Sequence, residues 1–172
     1  GANYRWPTAS YAERERIFQA HVRYVAGWFW FMANDPSVPE DVRNRMASWG
    51  LCKDEFVDTG GFPHQLYVRE ARRMVSDYVI TEHNCRGTVT VDDPVGLGSY
   101  GMDSHNCRRY VRDGRVMNEG DVQVGGFPPY PIPYRSIVPR RGQCANLLVP
   151  VCLSASHIAY GSARMEPVFM VL

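Results

Sequence analysis

Three groups of residues in this 172-residue sequence have the types and spacing to move protons or grip anions. Near the end of the chain, Ser154, Ser156 and His157 fall in a short polar turn. The turn follows an apolar stretch that reads as a strand and precedes a helix opening after Arg164 and Pro167. An imidazole there suits a general base, and either serine could hold it in one tautomer. Asp103 and His105 are two apart, so on a strand they share one face, where a carboxylate orients an imidazole or raises its pKa. Tyr134 and Arg135 are neighbours in a proline-rich run: a phenol can relay a proton, and a planar guanidinium grips a carboxylate or sugar oxygens. Each group also has a plainer reading. His157 could be a polar residue at a helix start, the Asp103–His105 pair a satisfied patch at a sheet edge, and Tyr134 and Arg135 anchors of a stiff loop.

The elements that must position these groups change character along the chain. The front is helical: Ser10 with Glu13 forms a capping box, and Ile17, Phe18, Val22, Val25, Trp28, Phe29 and Met32 recur at helical spacing until Asn34, Asp35 and Pro36 end the run. Ser37 with Glu40 predicts a second, shorter helix ending near Trp49 and Gly50, which completes a helical hairpin over residues 1–50. The aromatics Trp28 to Phe31 read as core packing, with a cofactor wall or partner surface as the alternative. Residues 51–65 read as a Gly- and Pro-punctuated loop, and for residues 69–74 the pattern leaves helix and strand both open, with Arg69, Arg72 and Arg73 as surface or ion-pair cations, or one of them reaching a cofactor or an anionic substrate group. Residues 98–124 read as antiparallel strands, with Asp113 and Gly114 at a hairpin turn because that dipeptide accepts positive φ. Residues 130–139 alternate prolines with aromatics and must run stiff and extended, at an edge or along a cleft. The predicted fold is α+β: a helical hairpin followed by a mainly antiparallel sheet over residues 51–172, together one domain. The final Val-Phe-Met-Val-Leu, without a cap or polar tail, reads as a helix cut open.

Four ordered blocks carry a family resemblance: YVREARRM at residues 67–74, GSYGMDSH at 98–105, YPIPYRSIVP at 130–139 and NLLVPVCLSASHIAYGSARMEP at 146–167. The last resembles the C-terminal signature of a family of FAD-dependent oxidoreductases, some of whose members carry the name xanthan lyase. The resemblance implies a domain that covers the flavin and forms the pocket for oxidation of a small organic or sugar-derived substrate. It implies His157, His105 and Tyr134 as catalytic groups and Arg135 and Asp103 as substrate contacts. Arg164, with Ser154 and Ser156, is placed by it at the cofactor, where a fixed cation near the ring favours the reduced flavin. A departure accompanies the match: no G-x-G-x-x-G turn is present to hold a dinucleotide pyrophosphate, and the glycines at 96, 98, 125 and 126 read as turns or bulges. The chain thus resembles the substrate-side portion of a flavoprotein, whose partner would be the missing FAD-binding region or a second copy of itself.

Two other functions compete. A polysaccharide lyase acting on uronic acids needs a base and a group that neutralises the carboxylate, which Tyr134, His157 and Arg135 could supply without a flavin. A carbohydrate-binding module would use the 12% aromatic content for stacking on sugar faces. A net charge of +1 gives no electrostatic case for nucleic acid, and no apolar run reaches the roughly 18 residues of a spanning helix. The start has no signal-peptide character, and a secreted or periplasmic parent stays open. The five cysteines are odd in number and scattered. His83 and Cys85, with His105 and Cys107, could make a zinc site; a Cys85–Cys107 disulfide or two unrelated buried thiols are the other readings, and no metal is assigned.

Overall fold

Ser10 opens the first long element as its sequence requires: the hydroxyl accepts from the Glu13 amide at 3.3 Å, and α1 (Tyr11–Asn34) follows. The computed structural model describes residues 3–70 and 72–172. The chain divides into two compact units, residues 2–71 and residues 72–172.

In the first unit α1 packs against α2 (Glu40–Ala47), so the helical hairpin forms as expected. The entry to α2 differs from expectation. Ser37 does not cap it; its amide and hydroxyl instead donate to the Asp35 carboxylate at 2.9 and 2.6 Å, and Pro39 stands at the cap position without a side-chain bond. An Asp before a proline makes a local turn of its own, which takes Ser37 away from the helix. Those bonds from Ser37 hold the Asp35 carboxyl below its usual range. None of α1 is buried, and Trp28, Phe29 and Trp30 stay largely exposed. Beyond α2 the chain is loop and turn with one short 3-10 turn, Val57–Thr59, as the Gly and Pro spacing predicts. Residues 69–70 and 72–74 are neither helix nor strand, and Ala71 between them lies outside the described residues.

The second unit holds the core. Ile80, Met102, Tyr130, Ile132, Leu153, Ala159 and Ala163 are all about fully buried. A short helix, α3 (Glu82–Cys85), starts with Thr81 and Asn84 bonded reciprocally as a capping box. β1 (Pro94–Gly98) pairs antiparallel with β6 (Tyr130–Pro133), the register slipping between Pro94 and Gly96. β2 (Met102–Ser104) pairs antiparallel with β5 (Val122–Val124), and β3 (Arg108–Arg112) with β4 (Arg115–Glu119). The expected turn is present: Asp113 and Gly114 both take positive φ between β3 and β4. The last two ladders are one long hairpin with a break, since three residues, 105–107, stand opposite two, 120–121. That is a β-bulge, and it needs Gly120: at φ 89° a Cβ would lie 2.8 Å from Cys107 Sγ. The bulge turns His105 out of the ladder beside Asp103.

The fold is therefore α+β, with helices first and small antiparallel sheets after. The end of the chain corrects one expectation. No strand forms over residues 146–153; only a parallel bridge joins Ile80 to Ala155, and Pro150 interrupts the run. The polar turn is itself a helix start: Ser156 caps α4 (His157–Ala163), an additional helix, and α5 (Glu166–Val171) forms where the sequence predicts a helix to open, around Pro167. Among the described residues no helix is long and apolar enough to cross a membrane.

Candidate active site

β2 and α4 meet at unusually short range because residue 161 is glycine. A Cβ there would sit 2.7 Å from the Asp103 carbonyl oxygen and 3.0 Å from its nitrogen. That approach brings both ends of α4 onto one short strand. At the first residue of the helix, His157 Nε2 lies 3.1 Å from Ser104 Oγ. Just past the last, Arg164 donates to the Asp103 carbonyl at 3.3 Å and reaches its carboxylate at 3.4 Å.

Asp103 is the hub. Its carboxylate accepts from His105 Nε2 at 3.0 Å and from Gln123, its cross-strand neighbour on β5, besides Arg164. The Asp103 and Arg164 side chains are 12% and 10% exposed, that of His105 48%. Burial works to raise the Asp103 pKa, but the Gln123 hydrogen bond and the charges of His105 and Arg164 outweigh it and hold the carboxyl below its usual range. An ionised carboxylate only accepts, so His105 donates through Nε2 and its lone pair lies on Nδ1 in the neutral ring. Ser104 gives its one proton to the Gly120 carbonyl at 3.0 Å, so it accepts from His157 Nε2–H. Both rings are thereby assigned the same tautomer, with Nδ1 as the basic nitrogen. The arrangement can take a proton at an exposed imidazole and stabilise the resulting imidazolium with a fixed carboxylate.

The other predicted residues lie in separate networks. Arg135 donates to Asp93 at 2.9 Å and to Asp92, and its guanidinium lies 4.9 Å over the Tyr78 ring. The Arg135 hydrogen bond keeps the Asp93 carboxyl below its ordinary range. This clasp ties residues 92–93 to the 3-10 turn Tyr134–Ser136 and engages the fork expected to grip a substrate. Tyr134 is exposed, its amide donating to the Asp93 carbonyl. Ser154 is fully buried and accepts from the Ser76 amide at 3.2 Å, while Ser156 accepts from the Ala159 amide as the cap of α4. It is Ser104, and neither Ser154 nor Ser156, that orients His157.

Sequence reasoning missed Ser104, Gln123 and Gly161. Ser104 sits between the two residues that the alternation singled out, and Gln123 is found only through the β2–β5 register. Buried beneath the corner, Tyr130 shares a hydrogen bond of 2.7 Å with Ser162; burial first, then the neighbouring Cys85, pushes its phenol far up, and burial raises the Cys85 thiol too. His83, Cys85, His105 and Cys107 do not gather: no group of three or more potential ligands able to hold a metal exists among the described residues, and none of the five cysteines is in a disulfide. The first unit has a concavity of about 730 Å³ lined by Phe29, Trp30, Met46, Trp49, Leu51 and Phe62. It is lined by no titratable side chain and so offers no comparable chemistry.

A dinucleotide needs several unspent donors at a glycine turn and helix start. The described residues do not fit that need: Ser154 is fully buried, Arg164 is bound to Asp103, and the glycines of β1 lie within a strand rather than at a helix start. The chain, mixed with FAD and passed through gel filtration, is expected to emerge without flavin absorbance; a retained flavin spectrum would show that a site forms from other residues.

A family model described as FAD dependent oxidoreductase matches residues 2–172. No curated protein and no solved structure matches the chain. The match spans both units and every residue of the Asp103 corner, and the chain belongs to the FAD dependent oxidoreductase family.

Proposed function

We propose that this chain is the substrate-side part of a flavoprotein oxidoreductase, and that the Asp103 corner receives the proton when a small hydroxyl-bearing organic or sugar-derived substrate is oxidised. The observation that carries the reading is the Asp103–His105 contact at 3.0 Å, with Arg164 reaching the same carboxylate oxygen. His105 is the base, taking a substrate hydroxyl proton at Nδ1. Asp103 orients the ring and steadies its positive charge. Arg164 and Gln123 keep that carboxylate ionised and in place, so it does not itself compete for the proton. His157, held through Ser104 at the start of α4, lines the same corner as a polar contact for the substrate. FAD, by which the family is described, would supply the electron-accepting chemistry from residues outside this corner; the corner itself handles only the proton.

The family match favours this reading over a lyase, and so does the separation of Arg135 and Tyr134 from His157, since a lyase would use the three together. The test is anaerobic bleaching of FAD with a panel of small polyols and sugars, run on the full flavoprotein of which this chain is proposed to be the substrate-side part. His105→Ala is expected to slow bleaching by about 10²–10⁴-fold, the usual contribution of a positioned base. Tyr134→Phe is expected to leave the rate unchanged. Loss of the rate in the Tyr134 variant with the His105 variant intact would reverse the assignment.

A further inference from the structure

The β3–β4 hairpin beyond the bulge has no part in the proposed chemistry. It is a two-stranded sheet, so among the described residues the outer edges of β3 and β4 have no sheet partner, and every residue of the two strands except Tyr110 is exposed. On one face β3 presents Arg108, Tyr110 and Arg112 in alternation. Both guanidiniums rest on the Tyr110 ring, with carbons 5.1 and 5.5 Å from its centroid. Arg115 stands directly opposite Arg112 across the ladder. Like charges in opposed positions destabilise a hairpin, so this one carries a cost that an anion would relieve. The acids nearby are Glu119, opposite Arg108, and Asp113 in the turn.

We propose that the outer edge of β3 receives an extended acidic segment of a partner protein as a third strand. An unpaired edge supplies the backbone donors and acceptors for such an addition, and alternate side chains supply its specificity. The ring holds the two guanidiniums in place before binding, which reduces the ordering cost and leaves their forks set for carboxylates. Residues two apart on a strand repeat at roughly 6.6–7 Å, so the matching segment has acids four residues apart with an apolar residue midway, facing Arg108, Arg112 and Tyr110. A second copy of this chain is disfavoured at the same edge, because antiparallel self-pairing sets arginine against arginine.

The test uses the peptide Thr-Glu-Thr-Val-Thr-Glu-Thr and amide NMR of the chain. Saturable binding is expected, with shifts concentrated at the β3 amides, and weakened by about tenfold or more in the double variant Arg108→Glu, Arg112→Glu. Two further peptides decide the matter on the unmodified chain: one with lysine for glutamate, and one with proline for every threonine, which keeps the charge but cannot run as a strand. Both should fail to bind. No saturable binding of the first peptide at millimolar concentration, or equal binding of the lysine or proline peptide, overturns the proposal.

Discussion

Gly161→Ala is expected to lower the stability of the second unit by about 1–3 kcal/mol, the usual cost of forcing a carbon into a filled interface. The added methyl would meet the backbone of Asp103, at 2.7 Å from its oxygen, 3.0 Å from its nitrogen and 3.1 Å from its carbonyl carbon. Backbone atoms of a paired strand cannot rotate away as a side-chain tip can, so α4 must lift or β2 must bend. Alanine gains about 1 kcal/mol over glycine in a helix, which offsets part of this cost and makes the sign a real test. Gly27→Ala in α1 supplies the contrast. Nothing lies within 4 Å of a Cβ there, so only the helix gain remains and the change should stabilise. Denaturant unfolding measures both. A Gly161 variant as stable as the unmodified chain would mean that α4 does not press on β2 as described. The same displacement should move Arg164 and His157 away from Asp103 and Ser104, so loss of stability and loss of the site go together.

Asp103→Asn is expected to lose both activity and acid sensitivity. An amide in place of the carboxylate keeps the shape but offers His105 no charge, so the ring loses its fixed orientation and its imidazolium its partner. The expected fall in turnover is about 10²–10⁴-fold. The pH effect has a definite sign. Burial opposes ionisation of Asp103, but the Gln123 hydrogen bond and the His105 and Arg164 charges prevail, and the folded pKa lies below the unfolded one. Its contribution to stability is therefore complete above the unfolded value, about 3.9, and is lost as pH falls through the lower folded value. Unfolding followed from neutral pH downward should show a steeper acid loss for the unmodified chain than for the variant. Some slope should persist in the variant, because Asp93 is lowered in the same direction by Arg135. Equal acid slopes in the two proteins would contradict the account of Asp103.

Local chemistry was readable in the sequence wherever a signal and its partner lie a few residues apart. Ser10 caps α1 through Glu13 three residues on, and Asp113 and Gly114 make their turn alone. The spacing of Asp103 and His105 announced their contact for the same reason. The remainder depends on contacts that no local pattern announces. Ser104 meets His157 across 53 residues, and Gln123 meets Asp103 across 20, through a ladder interrupted by a bulge. Arg135 looked available because the carboxylates that engage it lie 42 and 43 residues upstream. Ser154 and Ser156 looked chemical because a hydroxyl near a histidine has many uses, and both are spent on backbone amides. Ser37 followed the rule for a helix cap, but a nearer acceptor on Asp35 won. The apolar run before Ser154 had strand composition but forms no strand, and the one bridge, Ile80 to Ala155, lies just beyond it.

The most direct test of the Asp103 corner is long-range proton–nitrogen NMR of the histidine rings, recorded on the chain alone and during titration with the panel of small polyols and sugars. Two carboxylate- and hydroxyl-fixed rings predict the Nε2-protonated tautomer for the neutral forms of both His105 and His157. A substrate-like member of the panel should then move the signals of both rings together, and Asp103→Asn should abolish the response at His105. Rings protonated at Nδ1, or a response at Tyr134 and Arg135 with both histidines unmoved, would contradict the assignment of the site.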